Sequence, residues 1–150
     1  MDNTLIYAAL AAVVRLARLN LQQQAATMGA TQVISCAALL PAWTQGPYTA
    51  GQVVSHNGQP WRCLQAHDSS GNAAWAPGIA PSLWGAYHST VAKWALPWVA
   101  PTGAHDAYQA GEYMIWTNGQ TYRCTTDNTV WGPDTLPSAW TVVQPEGGAD

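Results

Sequence analysis

The chain reads as mainly β, with an N-terminal α-helical segment ahead of two small antiparallel β modules. Each module is expected to be three-stranded and to have an aromatic core. Three observations predict this. Apolar residues near the amino end recur at helical spacing. All nine tryptophans of the 150-residue chain lie between positions 43 and 140. Two Asn-Gly dipeptides, Asn57-Gly58 and Asn118-Gly119, each sit between strand-like runs.

The helix comes first. Leu10, Val14, Ala17, Leu21 and Met28 follow its period, while Arg15, Asn20, Gln22 and Gln23 take other faces. Gly29 is the expected stop. Such a helix is ~35 to 40 Å long at 1.5 Å per residue and has no counterpart of its own kind downstream. Leu10, Val14, Ala17 and Leu21 are therefore expected to dock to other subunits as a bundle or coiled coil, giving a homo-oligomer. Packing on its own domains is the plainer alternative. Gln22, Gln23 and Gln24 argue against a long continuous zipper. The run Leu5 to Val14 has the length of a signal-peptide core, but Asp2 precedes it and Arg15 and Arg18 follow it. That reverses the charge order a secretory signal needs, so no signal peptide is expected. The run is also short of the roughly 20 apolar residues that span a bilayer, so no membrane span is expected. Thr31 to Leu40 is a strand or a short second helix, ended by Pro41.

After Pro41 the chain repeats itself. Tyr48-Thr-Ala-Gly51 matches Tyr108-Gln-Ala-Gly111. Asn57-Gly-Gln-Pro-Trp-Arg-Cys63 matches Asn118-Gly-Gln-Thr-Tyr-Arg-Cys124. Trp75-Ala-Pro77 through Pro81-Ser-Leu-Trp84 matches Trp131-Gly-Pro133 through Pro137-Ser-Ala-Trp140. Three motifs in one order, with small insertions and deletions between them, indicate duplication. The division follows: a helical anchoring and oligomerisation segment over 1–40, one module over 41–90 and a second over 95–145.

Within each copy, Asn-Gly is the dipeptide of a type I′ hairpin turn, whose two central residues need positive φ. The strands are expected over 52–56 and 59–65, then over 112–117 and 120–126. A lone hairpin is marginal in water. Trp43, Tyr48, Trp61 and Trp84 are expected to supply the first core, and Trp98, Tyr108, Tyr122 and Trp140 the second. Pro77, Pro81, Pro133 and Pro137 stiffen the returning loops.

Composition narrows the function. Only 9% of residues are charged, against about 25% in ordinary soluble proteins. The net charge is -3, which argues against a nucleic-acid partner, since phosphate tracking needs a basic face. Nine Trp, six Tyr and no Phe favour side chains with a flat face and a polar handle, suited to interfaces and sugars as well as cores. The three cysteines, Cys36, Cys63 and Cys124, are odd in number, so at least one lacks an intrachain partner. No Cys/His spacing suits zinc, so neither metal nor cofactor is implied. A glycosidase needs two carboxylates across a cleft, but Asp68, Asp106, Glu112, Asp127 and Asp134 do not recur between the copies. The chain therefore reads as non-enzymatic.

The order Trp, Tyr-x-x-Gly, strand, Asn-Gly, aromatic, Pro and closing Trp resembles carbohydrate-binding modules of families five and twelve, the chitin-binding type 3 kind. The resemblance covers about 42–87 and 97–143. Copy one, with Cys-Leu-Gln-Ala-His67-Asp68-Ser-Ser, is similar to the version attached to bacteriophage and prophage tail proteins. It implies a compact β module that binds polysaccharide without catalysis. The implied setting is a virion, as a tail fibre, tail tip or decoration, with other virion subunits and a host-surface glycan as partners. A purely structural virion component and a secreted chitin-binding protein are the alternatives. The exposed aromatics that such modules carry after the second hairpin strand are replaced here by Leu64-Gln65-Ala66 and Thr125-Thr126-Asp127. For sugar stacking this leaves Trp75 and Trp131, in loops beside Pro and Gly, as leading candidates. Trp116 is a third, and His67 with Asp68 could hold a hydroxyl.

Overall fold

The computed structural model describes residues 3–24 and 28–144. Its contacts cluster into two compact units, Met1–Trp84 and Gly85–Asp150.

The first unit opens with α1, Asn3–Gln24. The stretch 25–27, where the helical pattern was expected to continue towards Met28, lies outside the described residues. A second helix, α2, spans Ala30–Ser35. Gly29, expected to stop a helix, instead opens this one: its carbonyl accepts from Val33 N at 3.1 Å. Gln32 Oε1 reaches back to accept from Gly29 N at 3.3 Å, half of a capping box. A 3-10 turn, Ala37–Leu39, follows. Val33, Ile34 and Leu40 are buried, and these elements contact α1 and the strands that follow. Residues 28–40 therefore contribute to the core of the first unit.

Five strands follow, numbered in chain order: β1 Pro47–Tyr48, β2 Val53–His56, β3 Gln59–Cys63, β4 His67–Asp68 and β5 Trp84–Ala86. They form a three-stranded sheet, β2-β3-β5, and a small β1-β4 pair. The β2-β3 hairpin is antiparallel, with Val53 opposite Arg62 and His56 opposite Gln59. Its turn is the type I′ form, with Asn57 at φ 52° and Gly58 at φ 77°. Val53 and Val54 are both buried, so this strand has cover on both faces. Trp61, Cys63 and Trp84 complete the core.

The second unit carries β6 Leu96–Pro97, β7 Tyr113–Ile115, β8 Thr121–Cys124 and β9 Trp140–Val142. Their order is β6-β7-β8-β9. The β7-β8 and β8-β9 pairs are antiparallel and β6-β7 is parallel. The second turn differs from expectation. Asn118 does not adopt positive φ, whereas Gly119 does, at 82°. Trp116 N donates to Gln120 O, and Gly119 N to Trp116 O, both at 2.9 Å. Asn118 Oδ1 accepts from Gln120 N at 2.9 Å. This is a three-residue loop, a turn followed by a left-handed glycine. The residue inserted before the second Asn-Gly lengthens the loop and so removes the need for positive φ at the asparagine.

Tyr108, Met114, Cys124, Ala139 and Trp140 form the second core, with Trp98, Trp116, Tyr122 and Leu136 packed against it. Tyr108 is sandwiched between His88, at a 3.7 Å centroid distance, and Trp98, at 5.1 Å. Burial pushes its phenol well above the ordinary tyrosine range.

The same backbone bonds occur within each unit. Gly51 N donates to Cys63 O and Gly111 N to Cys124 O, both at 2.8 Å. Cys63 N donates to Gln52 O and Cys124 N to Glu112 O, both at 2.7 Å. The Cys63 thiol donates to Gln65 O and that of Cys124 to Thr126 O, each at 3.1 Å.

Candidate functional site

Two of the exposed aromatics, Trp75 and Trp131, are held by buried ones; Trp94, as exposed as Trp75, ends the 3-10 turn Ala92–Trp94. In the first unit Trp75 ends a 3-10 turn, Ala73–Trp75. The buried Trp84 donates its indole N–H to Trp75 O at 2.9 Å. Buried Ala76 and fully buried Pro77 follow directly and hold the loop down. Trp75 itself stays 38% exposed. The second unit repeats the device. Trp140 donates its indole N–H to Trp131 O, again at 2.9 Å, and Trp131 is 58% exposed. In both, a core tryptophan fixes the backbone nine residues before it, and the loop ring faces outwards. Such a flat face can stack on the C–H edges of a sugar ring, with nearby amides for its hydroxyls.

Two candidates are placed differently from the expectation. His67 stacks on Tyr48 at 5.8 Å and meets Trp84 edge-on at 5.4 Å and Trp75 at 6.3 Å. Its Nδ1 lies 2.8 Å from Gln65 O, which makes Nδ1 the protonated nitrogen. Nε2 is buried with no hydrogen-bond partner. The ring is thus packing in the aromatic layer and has no nitrogen to offer a hydroxyl. Trp116 meets Trp98 edge-on at 5.2 Å, and its ring lies so close to Gly132 that a Cβ there would overlap it. It is half-buried against the second core.

Asp68 is exposed, but its Oδ1 accepts from Ser70 Oγ at 2.5 Å and from Ser70 N at 2.9 Å. The Ser70 hydroxyl, then its amide, hold the carboxyl below the usual range. One oxygen is thus committed to a local turn. The Cys63 thiol is pushed up by burial, against the opposing bond from Gln65, so it stays protonated and is no nucleophile near neutrality. Among the described residues, no group of three or more His, Cys, Asp or Glu side chains could hold a metal ion.

Of the oligomerisation candidates, Leu10 and Val14 are exposed on α1, whereas Leu21 is buried within its own chain. Leu21 therefore caps the helix end against the fold and is not free for another subunit. The sequence reading also missed a half-open groove in the second unit, about 390 Å³, lined by Lys93, Gln120, Val142 and Gln144 among others. The Lys93 ammonium lies 5.5 Å from the Trp94 ring centre. The pairing of β8 with β9 sets Val142 beside the strand that follows Gln120, and Lys93 joins from the 3-10 turn Ala92–Trp94; no local pattern announces the groove.

Residues 42–85 match carbohydrate-binding module family 5/12. This span runs from just before Trp43 to just after Trp84 and so takes in the whole β2-β3 hairpin and the Trp75 loop. Chitinase A1 of Niallia circulans is 51% identical over 37 residues, which are 25% of this chain and 5% of that protein. The crystal structure of a family GH18 chitinase from Chromobacterium violaceum shares 30% identity over 39% of this chain and 17% of its own, with a TM-score of 0.29. The chain thus spans a small fraction of either chitinase. The matched segment is similar to a carbohydrate-binding module.

Proposed function

We propose that the chain is a non-enzymatic glycan-binding protein of a phage or prophage particle, using both units to adhere to a host-surface polysaccharide. The observation that carries this is the matched pair of exposed rings, Trp75 and Trp131. Each is hung from a buried tryptophan, and one lies within the segment that matches a carbohydrate-binding module. The recurring backbone bonds support the same role for the second unit. Its loop ring is the more open of the two.

The virion setting is supported by the resemblance of copy one to tail-protein modules. Low charge and dense tryptophan suit a many-copy assembly with extensive interfaces. The exposed apolar residues of α1 would join copies of the chain, with Leu10, Val14 and Ala17 on one face. The protein would reach the exterior by host lysis. A second reading, a secreted chitin-binding protein, is favoured by the identity shared with a segment of chitinase A1.

The test is a glycan-array and cell-wall pull-down with the full chain, with insoluble chitin included. The Trp75→Ala/Trp131→Ala double variant is the control. Saturable binding that the folded double variant loses is the expected result. Binding to chitin alone would favour the secreted reading. Binding to no glycan or envelope would refute adhesion and leave a structural component whose modules contact protein.

A further inference from the structure

We infer that the open edge of β2 in the first unit is a docking site for an extended segment of a partner protein, one that lays a flat ring on Tyr48 and sets a small residue opposite Val53. The second unit shows what such an edge takes. There His88 and Ser89 run beside β7. Ser89 faces Tyr113 in an antiparallel bridge, and its carbonyl accepts from Tyr113 N at 2.8 Å. His88 lies flat on Tyr108 at 3.7 Å, with its Nδ1 3.1 Å from Glu112 Oε1. Under this cover Ser89 is fully buried and Tyr108 is 1% exposed.

Bonds made in both units fix the counterparts of these three residues. Thr44 N donates to Tyr48 Oη at 3.0 Å and Val99 N to Tyr108 Oη at 3.3 Å. Thr49 N donates to Gln52 Oε1 and Gln109 N to Glu112 Oε1, both at 2.6 Å. Gln52 O and Glu112 O each accept from the cysteine of the facing strand. Tyr48, Gln52 and Val53 therefore stand where Tyr108, Glu112 and Tyr113 stand. Their edge is open. At Val53, among the described residues, the only partner strand is β3. Pro41, Thr44, Tyr48, Gln52 and Val53 line a half-open groove of about 410 Å³. Gln52 is exposed and Tyr48 is only half-buried. Ser55 turns its N–H and C=O away from β3, to Pro41 O and Trp43 N, at 2.8 Å each. Alternate residues of an antiparallel strand turn these groups the same way, so those of Val53 also turn away from β3, towards the groove. Strand addition uses such an edge: main-chain bonds give affinity and side-chain sites give specificity. A polypeptide is what the matched edge holds, and it supplies a C=O and an N–H at one residue, as Val53 requires. Gln52 Oε1 can accept from a ring N–H as Glu112 does, without the charge.

The experiment is a proton–nitrogen NMR titration of the full chain with the capped peptide acetyl-Ala-Tyr-His-Ser-Thr-Val-amide, the sequence of residues 86–91. It is run at about pH 6, where a free histidine is mostly charged. A tethered segment acts at an effective concentration of about 1 mM, so the free peptide is expected to saturate near ~1 mM. The expected result is saturable shifts of the Gln52 and Val53 amides. Gln52→Glu restores the carboxylate that holds His88 in the second unit, and should tighten binding about fivefold. A misfolded variant cannot produce that gain. No saturable shift overturns the proposal, as does a Gln52→Glu variant that binds no tighter. Shifts at Tyr113 in place of Val53 mean that the peptide replaces the chain's own segment, and overturn it too. A parallel titration uses a soluble chitin oligosaccharide. If the sugar and not the peptide shifts Val53, the groove belongs to glycan and the proposal falls.

Discussion

Trp131→Ala isolates the contribution of one loop ring to ligand binding. The residue is 58% exposed. A tryptophan can bury up to about 250 Å², so about 145 Å² of this one is open to a ligand. At ~25 cal/mol per Å², complete cover would be worth about 3.6 kcal/mol. A sugar covers one face, which halves the figure to about 1.8 kcal/mol, or about 20-fold in Kd. The same reasoning for Trp75, 38% exposed, gives about 1.2 kcal/mol, or about eightfold. Removing Trp131 should therefore weaken binding more than removing Trp75. The covered part of Trp131, about 105 Å², sets an upper bound of about 2.6 kcal/mol on the stability lost. Binding must accordingly be read where circular dichroism shows the variant folded. Titration of the full chain with a soluble oligosaccharide of whichever glycan the pull-down selects supplies the two affinities. A folded Trp131→Ala that binds as the wild type does, or a reversed order of the two variants, would refute stacking on the exposed faces.

The other predictions concern how those rings are held. Trp84→Phe removes the indole N–H that bonds Trp75 O and leaves a part-buried carbonyl without it. Urea unfolding should show a loss of about 1 to 3 kcal/mol, and unchanged stability would mean the bond holds nothing. Gly132→Ala puts a methyl group into the Trp116 ring. The expected cost is about 1 to 3 kcal/mol, and a melting temperature equal to the wild type would show that the ring has room to move. Asp106 is part-buried and accepts from Thr102 N, Thr102 Oγ1 and Gly103 N, each at 2.9 Å. Burial pushes its carboxyl up, but these bonds outweigh burial and hold it below the ordinary value. A lowered carboxyl stabilises the fold above its unfolded pKa of about 3.9 and loses that contribution as pH falls through its folded value. Asp106→Asn should cost about 1.5 kcal/mol or more at neutral pH and flatten the fall in stability below about pH 4. A variant with the wild-type acid slope would contradict this.

The two hairpins were legible because Asn-Gly is a local signal: the conformation it favours depends on the two residues themselves. Even so, the second turn was misread. One inserted residue changes the loop length, and loop length selects the turn. The core tryptophans Trp61, Trp84 and Trp140 were legible because a repeat places them at matched positions. Gly29 was misread as a stop because glycine serves either end of a helix, and only its bonds, to Gln32 Oε1 and from Val33 N, show which.

Sequence by itself determined the helix, the strand runs and the loop positions of Trp75 and Trp131. All of these rest on periodicity or on short-range backbone preference. Tertiary structure alone decided which side chains are already occupied. His67 is enclosed by Tyr48, Trp75 and Trp84, Trp116 is pressed onto Gly132, and Leu21 is buried in its own unit. The indole bonds that hold Trp75 and Trp131 likewise cross loops that no local preference closes. Whether a ring is a platform or a filler depends on what covers it, and the covering groups come from distant parts of the chain brought together by burial of apolar surface.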